Sequence, residues 1–252
     1  INSIYSDKDG NLFDPFNGKK DLESGYINFI GDADKRIKED YLRILRYLRF
    51  FLHYSKQSHN LETIRKLKIN IGGVSKLSKD RLFDELKKIL KIDILEKLSK
   101  DKLSLDLFLM IFPELKNIKI FSKFNNIKKK ILKEKDFIFL LSLMIIDETD
   151  NAEYFLYRFN ISKKDQKRIK LIDDFYKKEK NSKTFTEKNM NKVFYYYGKE
   201  TTIDILCHKI IKSNKIDNNL LELCKLYQNK ITPVVPVSAD VLMKKYEIPE
   251  GR

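Results

Sequence analysis

Residues 34–50 have the sequence Asp34-Lys35-Arg36-Ile37-Lys38-Glu39-Asp40-Tyr41-Leu42-Arg43-Ile44-Leu45-Arg46-Tyr47-Leu48-Arg49-Phe50. Wound at about 100° per residue, this stretch places its apolar side chains on one side of a helix. The opposite side carries a polar stripe, with two further charged residues beside it: Arg36, Asp40, Arg43 and Tyr47, then Glu39 and Arg46. The pattern predicts a single amphipathic helix that extends over 36–56.

Asp40 and Arg43 are three residues apart on this stripe, so their side chains are predicted to be neighbours. Such a pair is usually an ordinary surface ion pair that contributes little to stability. It also sets a group that only accepts hydrogen bonds beside one that only donates them. Cytosine and adenine, which present an amine next to an unprotonated ring nitrogen, match this pair, whereas uracil and guanine do not. The residues alone leave both interpretations open.

Outward from this stretch, the helical pattern continues almost to the end of the chain. Apolar residues recur at spacings of three and four in ten further segments: 61–69, 78–98, 103–111, 120–133, 136–147, 151–159, 163–178, 187–197, 200–212 and 216–228. Ser78, Ser162 and Thr186 stand where N-caps are expected. A short helix over 238–245 follows a proline-containing break at 231–236. The predicted fold class is therefore mainly α.

The first thirty residues have a different pattern. They contain two short β-like runs, Ser3–Ser6 and Tyr26–Ile30, with a dense set of turn-forming residues at 9–18 between them. Two or three strands alone are only marginally stable. We therefore expect this region to be a short α/β remnant at the edge of a larger domain, and the chain to be a piece cut at both ends.

The charge of the chain points to a polyanionic partner. Its 252 residues include 51 Lys and Arg against 36 Asp and Glu, a formal net charge of +15. Much of this excess is lysine, which compositional bias could also produce. Arginine is scarce and more informative, because four of the arginines fall within 36–49. Nucleic acid is the partner that this distribution favours.

The patterns of cysteine, histidine and hydropathy argue against a disulfide scaffold, a zinc site and a membrane-spanning helix. Cys207 and Cys224 are predicted to lie far apart as reduced core residues of a cytosolic protein. The three histidines lack the spacing of metal ligands: His53, His59 and His208. The longest uncharged apolar run, 137–146, is too short to span a bilayer and predicts a buried helix.

Three parts of the chain carry a family resemblance. The run from Asp9-Gly10 through Asp14-Pro15-Phe16-Asn17-Gly18 to Asp21, followed by Gly31-Asp32 and Glu39-Asp40-x-x-Arg43-x-x-Arg46, resembles the class II tRNA nucleotidyltransferase/poly(A) polymerase family. The CCA-adding members are the closer match. Residues 78–90 resemble the neck helix of that family more weakly, and residues 233–251 resemble the start of its tail.

The resemblance implies roles for individual residues. Glu39, Asp40 and Arg43 would form the protein template for CTP or ATP, Arg46 would be the second arginine of the nucleotide site, and Asn2 would belong to a motif that contacts the nucleotide sugar and phosphates. A flexible loop that assists the change from adding C to adding A would include Asp9, Gly10, Asp14, Gly18 and Asp21. Arg81 and Glu85 would be the neck-helix motif, on one face of their helix.

It also implies a division of the chain into four parts. These are the edge of a nucleotidyltransferase head over 1–33, base-reading and RNA-binding neck helices over 34–100, a helical body over 101–230 and the start of the tail over 231–252.

The implied activity is template-independent addition of CMP, CMP and AMP, from CTP and ATP, to the 3′ end of tRNA. The Arg-Arg-Asp and Asp-x-Asp head motifs are not found in the expected context, so Mg²⁺ would be bound by residues outside this chain. The chain would then hold no catalytic or metal-binding residue and be inactive alone. Bacterial cytoplasm or mitochondria would be its location. A poly(A) polymerase, a CC-adding or A-adding enzyme, and a non-catalytic helical RNA-binding module remain alternatives.

Overall fold

The computed structural model describes residues 4–178, 185–231, 239–247 and 249 of the chain. Within them, helices predominate and the two strands are two residues long, which confirms the prediction of a mainly α fold. The elements before residue 60 are β1 (Tyr5–Ser6), β2 (Leu12–Phe13), α1 (Gly18–Ser24), α2 (Ala33–Glu39) and α3 (Leu42–Tyr54). Strands β1 and β2 pair antiparallel, with Tyr5 opposite Phe13.

The remaining elements are helices. They are α4 (Leu61–Asn70), a 3₁₀ helix (Ile71–Lys76), α5 (Lys79–Ile89), α6 (Ile92–Lys100), α7 (Lys102–Ile111), a second 3₁₀ helix (Pro113–Ser122), α8 (Asn126–Lys133), α9 (Phe137–Ile145), α10 (Asn151–Arg158), α11 (Lys163–Lys178), α12 (Glu187–Lys212), α13 (Asn218–Asn229) and α14 (Ala239–Tyr246). None of the helices in the described ranges is long and apolar enough to cross a bilayer.

The chain forms two compact units, Ile1–Lys178 and Glu179–Arg252. In the first unit, α9 and α6 pack on the second 3₁₀ helix, and α3 packs on α5. Helix α9 is buried almost throughout, as its uninterrupted apolar sequence predicts. In the second unit, α12 packs against α13. The four-part division at 33, 100 and 230 concerns functional regions and stays a prediction.

Helix starts follow the predicted caps. Ser78 accepts a hydrogen bond from the Arg81 backbone N–H, and Thr186 accepts one from that of Asn189. The Ser162 hydroxyl donates to the Asp165 carboxylate, and the Asp165 backbone N–H donates to the hydroxyl oxygen, so Ser162 caps the start of α11. The predicted separation of 187–197 from 200–212 is confirmed as a kink at Gly198, where φ is 81° and only glycine is unstrained.

Four predictions about local structure are wrong. The predicted helix 120–133 is divided, because the second 3₁₀ helix ends at Ser122 and α8 begins at Asn126. Tyr26–Ile30 forms no strand. The segment is anchored instead by the Tyr26 N–H donating to the Asp21 carbonyl and by Phe29 stacking on Tyr47. The predicted helix 78–98 is divided at Leu90–Lys91, where the Lys91 N–H turns back to the Ile89 carbonyl. The predicted helix 36–56 is divided at Asp40 and Tyr41.

The two cysteines are also placed differently from the prediction. They are buried thiols that form no disulfide, but they are not far apart, because the Sγ atoms of Cys207 and Cys224 lie 3.6 Å from each other across the α12–α13 contact. The two residues are 17 positions apart in the sequence, and they meet because α12 and α13 pack against each other. The sequence pattern of either helix alone does not show this contact.

Candidate functional site

The break between α2 and α3 at Asp40 shapes the candidate site. Asp40 has an extended backbone, with φ −155° and ψ 103°, and its carboxylate accepts a hydrogen bond from the Leu42 N–H at 3.1 Å. A short acidic side chain that bonds to its neighbouring backbone competes with the helical ladder. Asp40 therefore ends one helix and begins the next, and the predicted continuous polar stripe does not form.

Arg43 pairs with Glu39 rather than with Asp40. Glu39 Oε2 accepts from Nη1 of both Arg36 and Arg43, each at 2.6 Å, and Arg43 Nη1 also donates to the Arg36 carbonyl oxygen. The bond from Arg43 is the largest cause that lowers the pKa of the Glu39 carboxyl. These bonds hold the guanidinium of Arg43 in one position at the end of α2.

Asp40 is held by a different helix. Its two carboxylate oxygens accept from Arg81 Nη2 of α5, at 3.1 and 2.9 Å, and Arg46 Nη1 lies 3.9 Å from Asp40 Oδ2. The expected Asp40–Arg43 neighbour pair is thus replaced by Asp40–Arg81. The Asp40 side chain stays 21% exposed, so a ligand can still reach it.

Glu85 makes the second link between α5 and α3. Its side chain is 1% exposed and accepts a hydrogen bond from Arg49 Nε and another from Lys88 Nζ. The Arg49 guanidinium also lies over the ring of Phe50, 4.2 Å from its centroid. Arg81 and Glu85, predicted to share a helix face, both contact residues of the Asp40–Arg49 stretch.

A cavity of about 870 Å³ opens beside these groups. Its lining contains five cationic and two acidic side chains, an excess of three positive charges: Arg36, Arg43, Arg46, Arg49 and Lys88, with Asp21 and Glu85. Five aromatic residues complete the wall: Phe16, Phe29, Tyr47, Phe50 and Tyr54. Arginines suit phosphate or a base edge, and aromatic rings suit a base face. The volume lies within the usual range for ligand pockets.

Some of the predicted nucleotide-binding residues line this cavity, and others lie behind its lining. Arg43 and Arg46 line it. Glu39 and Asp40 lie outside the lining and contact the lining arginines, Glu39 through Arg43 and Asp40 through Arg46. Asn2 lies outside the described residues.

The predicted loop residues form ordered turns and reach the cavity at one end. Asp7 accepts from the backbone N–H groups of Asp9 and Asn11, which closes the β1–β2 hairpin, and Gly10 has a φ of 84° in this turn. Asp14 accepts from the backbone N–H groups of Gly18 and Lys19 at the start of α1, and the bond from Lys19 chiefly lowers the pKa of its carboxyl. Gly18 and Asp21 themselves line the cavity.

A buried network behind the aromatic wall was missed by sequence reasoning. Tyr47 was predicted on the polar stripe but is buried, and its hydroxyl lies 3.1 Å from His59 Nδ1. On the other side, His59 Nε2 lies 2.8 Å from Ser104 Oγ and 3.2 Å from Asp101 Oδ1. Burial lowers the pKa of His59 and raises the pKa of Tyr47. The partners are up to 45 residues apart, so no local pattern could have indicated them.

Comparisons with known proteins identify relatives of this chain. No family model matches the chain. The human mitochondrial CCA tRNA nucleotidyltransferase 1 is 46% identical over 92 residues, which are 36% of this chain and 21% of that protein. The CCA-adding enzyme of Staphylococcus haemolyticus is 30% identical over 223 residues, or 87% of this chain and 51% of that enzyme. These relatives are CCA-adding enzymes.

A solved structure has the same fold. The Bacillus stearothermophilus CCA-adding enzyme in complex with CTP matches with a TM-score of 0.62 and 17% identity, over 99% of this chain and 62% of that one. The resemblance to CCA-adding enzymes found in the sequence is therefore confirmed. The match spans 21% of the length of the human relative and 51% of that of the Staphylococcus haemolyticus relative.

Proposed function

We propose that this chain supplies base selection and RNA binding to a CCA-adding tRNA nucleotidyltransferase. The enzyme would transfer CMP, CMP and AMP in turn from CTP and ATP to the 3′ end of tRNA, with release of pyrophosphate. The observation that carries the proposal is the arginine-lined cavity, in which Arg43 is bonded to Glu39 and Arg46 lies 3.9 Å from Asp40. A nucleoside triphosphate matches its positive charge and its aromatic wall.

Base choice would follow from the donors and acceptors that the ion pairs leave available. Arg43 uses Nη1 for both of the bonds that the described part of the chain shows, so Nη2 and Nε can donate to a ring nitrogen. A carboxylate has about four lone-pair sites, so Asp40 can keep Arg81 and still accept from a base amine. Together they match cytosine and adenine and mismatch uracil and guanine.

The helical remainder would bind tRNA through its charge. With a net charge of +15, the chain can neutralise several phosphates, and duplex RNA is bound largely through its backbone and shape. We assign the neck to 34–100, the body to 101–230 and the start of the tail to 231–252. The head edge, 1–33, would supply the loop at the cavity mouth.

Mg²⁺ is not assigned to this chain. Among the described residues, no group of three or more His, Cys, Asp and Glu side chains is placed to hold a metal ion. We attribute Mg²⁺ binding to head residues outside the 252. The relatives named above are CCA-adding enzymes rather than poly(A) polymerases, which favours CCA addition. We place the protein in bacterial cytoplasm, or in mitochondria if it is eukaryotic.

Binding of tRNA and CTP by the 252-residue chain tests this proposal. A tRNA that ends before its first C should bind at about 50 mM salt and at least ten-fold more weakly at about 200 mM, because bound phosphates release counterions. CTP should bind more tightly than UTP. Absence of tRNA binding at low salt, or equal affinity for CTP and UTP, would contradict the proposal.

A further inference from the structure

An exposed aromatic pair stands on α12 of the second unit. Tyr195 and Tyr196 are 69% and 75% exposed, and their ring centroids are 5.2 Å apart in an edge-to-face arrangement. They lie in the last turn before the kink at Gly198. Exposed apolar residues are common singly, but two adjacent tyrosine rings that both face solvent form a continuous aromatic surface.

Two lysines extend this surface along the same helix face. Lys188 and Lys192 are four residues apart, and Lys192 is four residues before Tyr196, so the three follow one another on the exposed side. The buried side of this segment is formed by Met190 and Phe194. The strip from Lys188 to Tyr196 is about 12 Å long at the α-helical rise of about 1.5 Å per residue.

The lysines of this strip form no salt bridge with the residues that the structure describes. Within the part of the chain that the structure describes, neither Lys188 nor Lys192 has an ion-pair partner among the observed salt bridges. The sequence of 187–199 contains three lysines and a single acidic residue, Glu187. Aromatic rings beside uncompensated cations are the composition that binds single-stranded nucleic acid, in which bases stack on the rings and phosphates meet the cations.

We propose that Lys188, Lys192, Tyr195 and Tyr196 form an RNA-binding surface on which unpaired bases of the tRNA stack. The identity of the RNA rests on the proposed function. Paired bases in an RNA duplex are stacked on each other and offer no free face, so the ligand must be a loop or another unpaired segment rather than a stem. RNA fits better than a protein partner because the strip leaves two positive charges for the ligand to neutralise.

Substitution of both tyrosines separates stacking from charge. Tyr195→Ala/Tyr196→Ala in the 252-residue chain should weaken binding of a tRNA lacking its CCA end ten-fold or more at fixed salt. Affinity for a blunt RNA duplex should change less than two-fold, because a duplex has no unpaired base that can stack between or on the rings. Tyr195→Phe/Tyr196→Phe keeps the rings and should bind as the original chain does. Tyr154→Ala, which removes an exposed tyrosine of α10, is the matched control.

Substitution of the lysines should have a different signature. Lys188→Ala/Lys192→Ala should lower affinity for tRNA and duplex alike, and should reduce the slope of log affinity against log salt by about one for each lysine. The tyrosine variants should leave this slope unchanged. Thermal melting followed by circular dichroism checks that each variant is folded.

The outcomes distinguish the surface from the wider proposal. If the original chain binds tRNA and Tyr195→Ala/Tyr196→Ala binds it equally well, the stacking surface is refuted, a protein partner becomes the occupant to test, and the proposed function stands. An equal loss for tRNA and duplex, or a loss in the Phe variant, also refutes stacking. If the original chain binds no tRNA, the proposed function itself fails.

Discussion

Arg46 differs from Arg43 in how it is held. Arg43 is fixed by two bonds of 2.6 Å, whereas Arg46 lies 3.9 Å from Asp40 and is freer to follow a ligand. Arg46→Ala should therefore weaken CTP and ATP binding alike, by about ten-fold, the equivalent of one charged hydrogen bond. The CTP-to-UTP affinity ratio should not change.

Calorimetric titration of the chain with each nucleotide measures both quantities. Lys38→Ala is the control, because Lys38 pairs with Asp34 on the exposed side of α2. A changed ratio in Arg46→Ala would show that Arg46 contacts the base edge.

His59 should make stability depend on pH. Burial lowers its pKa below the ordinary value of 6.5, so the unfolded chain takes up a proton more readily than the folded one. The contribution of neutral His59 is complete above about pH 6.5 and is lost as the pH falls through the folded-state pKa. Protonated His59 carries a proton on both ring nitrogens, so its Nδ1 would donate to the Tyr47 hydroxyl oxygen.

Urea unfolding at pH 7.5 and pH 5.5 measures this effect. The free energy of unfolding of the original chain should fall more between pH 7.5 and pH 5.5 than that of the His59→Asn variant. The variant should be the less stable of the two at pH 7.5. His53, whose pKa burial also lowers, is present in both proteins and cancels in the comparison. An equal loss in both would remove His59 as the titrating group.

Helix α5 acts as a support for the candidate site. Glu85 is buried and holds Arg49, so Glu85→Ala would leave a partly buried guanidinium without its carboxylate. Removing one partner of a buried pair costs about 3–5 kcal/mol, and partial solvation of Arg49 reduces this to about 2–3 kcal/mol here. CTP affinity should fall as well, because Arg49 lines the cavity.

Denaturant unfolding and CTP titration check this expectation. Asp84→Ala is the matched control, since Asp84 is the neighbouring residue and pairs with Lys87 on the exposed face of α5. The control should lose little stability. Equal losses in the two variants would mean that the buried link does not support the site.

At the same scale, the elements show what sequence patterns can and cannot predict. Caps at Ser78, Ser162 and Thr186 were predicted because a cap is a local hydrogen bond between near neighbours. The helix break at Asp40 was not predicted, because the apolar periodicity continues across it. The bond from the Leu42 N–H to the Asp40 carboxylate, which competes with the helix, leaves that periodicity unchanged. The break at Leu90–Lys91 was also not predicted, because the apolar periodicity continues across it as well.

The family resemblance singled out Glu39, Asp40, Arg43, Arg46, Arg81 and Glu85 but not the way they pair. The structure brings these six residues close to one another, and their roles at a nucleotide site stay predictions. The bond between Asp40 and Arg81 joins residues 41 positions apart, and that between Arg49 and Glu85 joins residues 36 apart. Such contacts depend on how α3 packs against α5, which the periodicity of either helix alone does not determine.

At the scale of the whole molecule, the candidate cavity lies in the first unit and the proposed RNA-binding strip lies in the second. The match to the Staphylococcus haemolyticus enzyme includes 87% of this chain but only 51% of that enzyme. Charge is spread along the chain, whereas arginine is concentrated at the cavity. This distribution is what separate tasks would require, with phosphate binding spread over the surface and base selection at one site.

The central claim is that Asp40 and Arg43 select the base, and one measurement tests it most directly. It is single-turnover incorporation of each of the four nucleotides into a tRNA that ends before its first C, by the complete enzyme and its Asp40→Ala and Arg43→Ala variants. Asp40→Ala should admit UTP, with about 1–3 kcal/mol of discrimination lost. Arg43→Ala should impair CTP and ATP use together. An unchanged preference for C and A over U and G in both variants would contradict the account and leave Asp40, Arg43 and their partners as structural ion pairs.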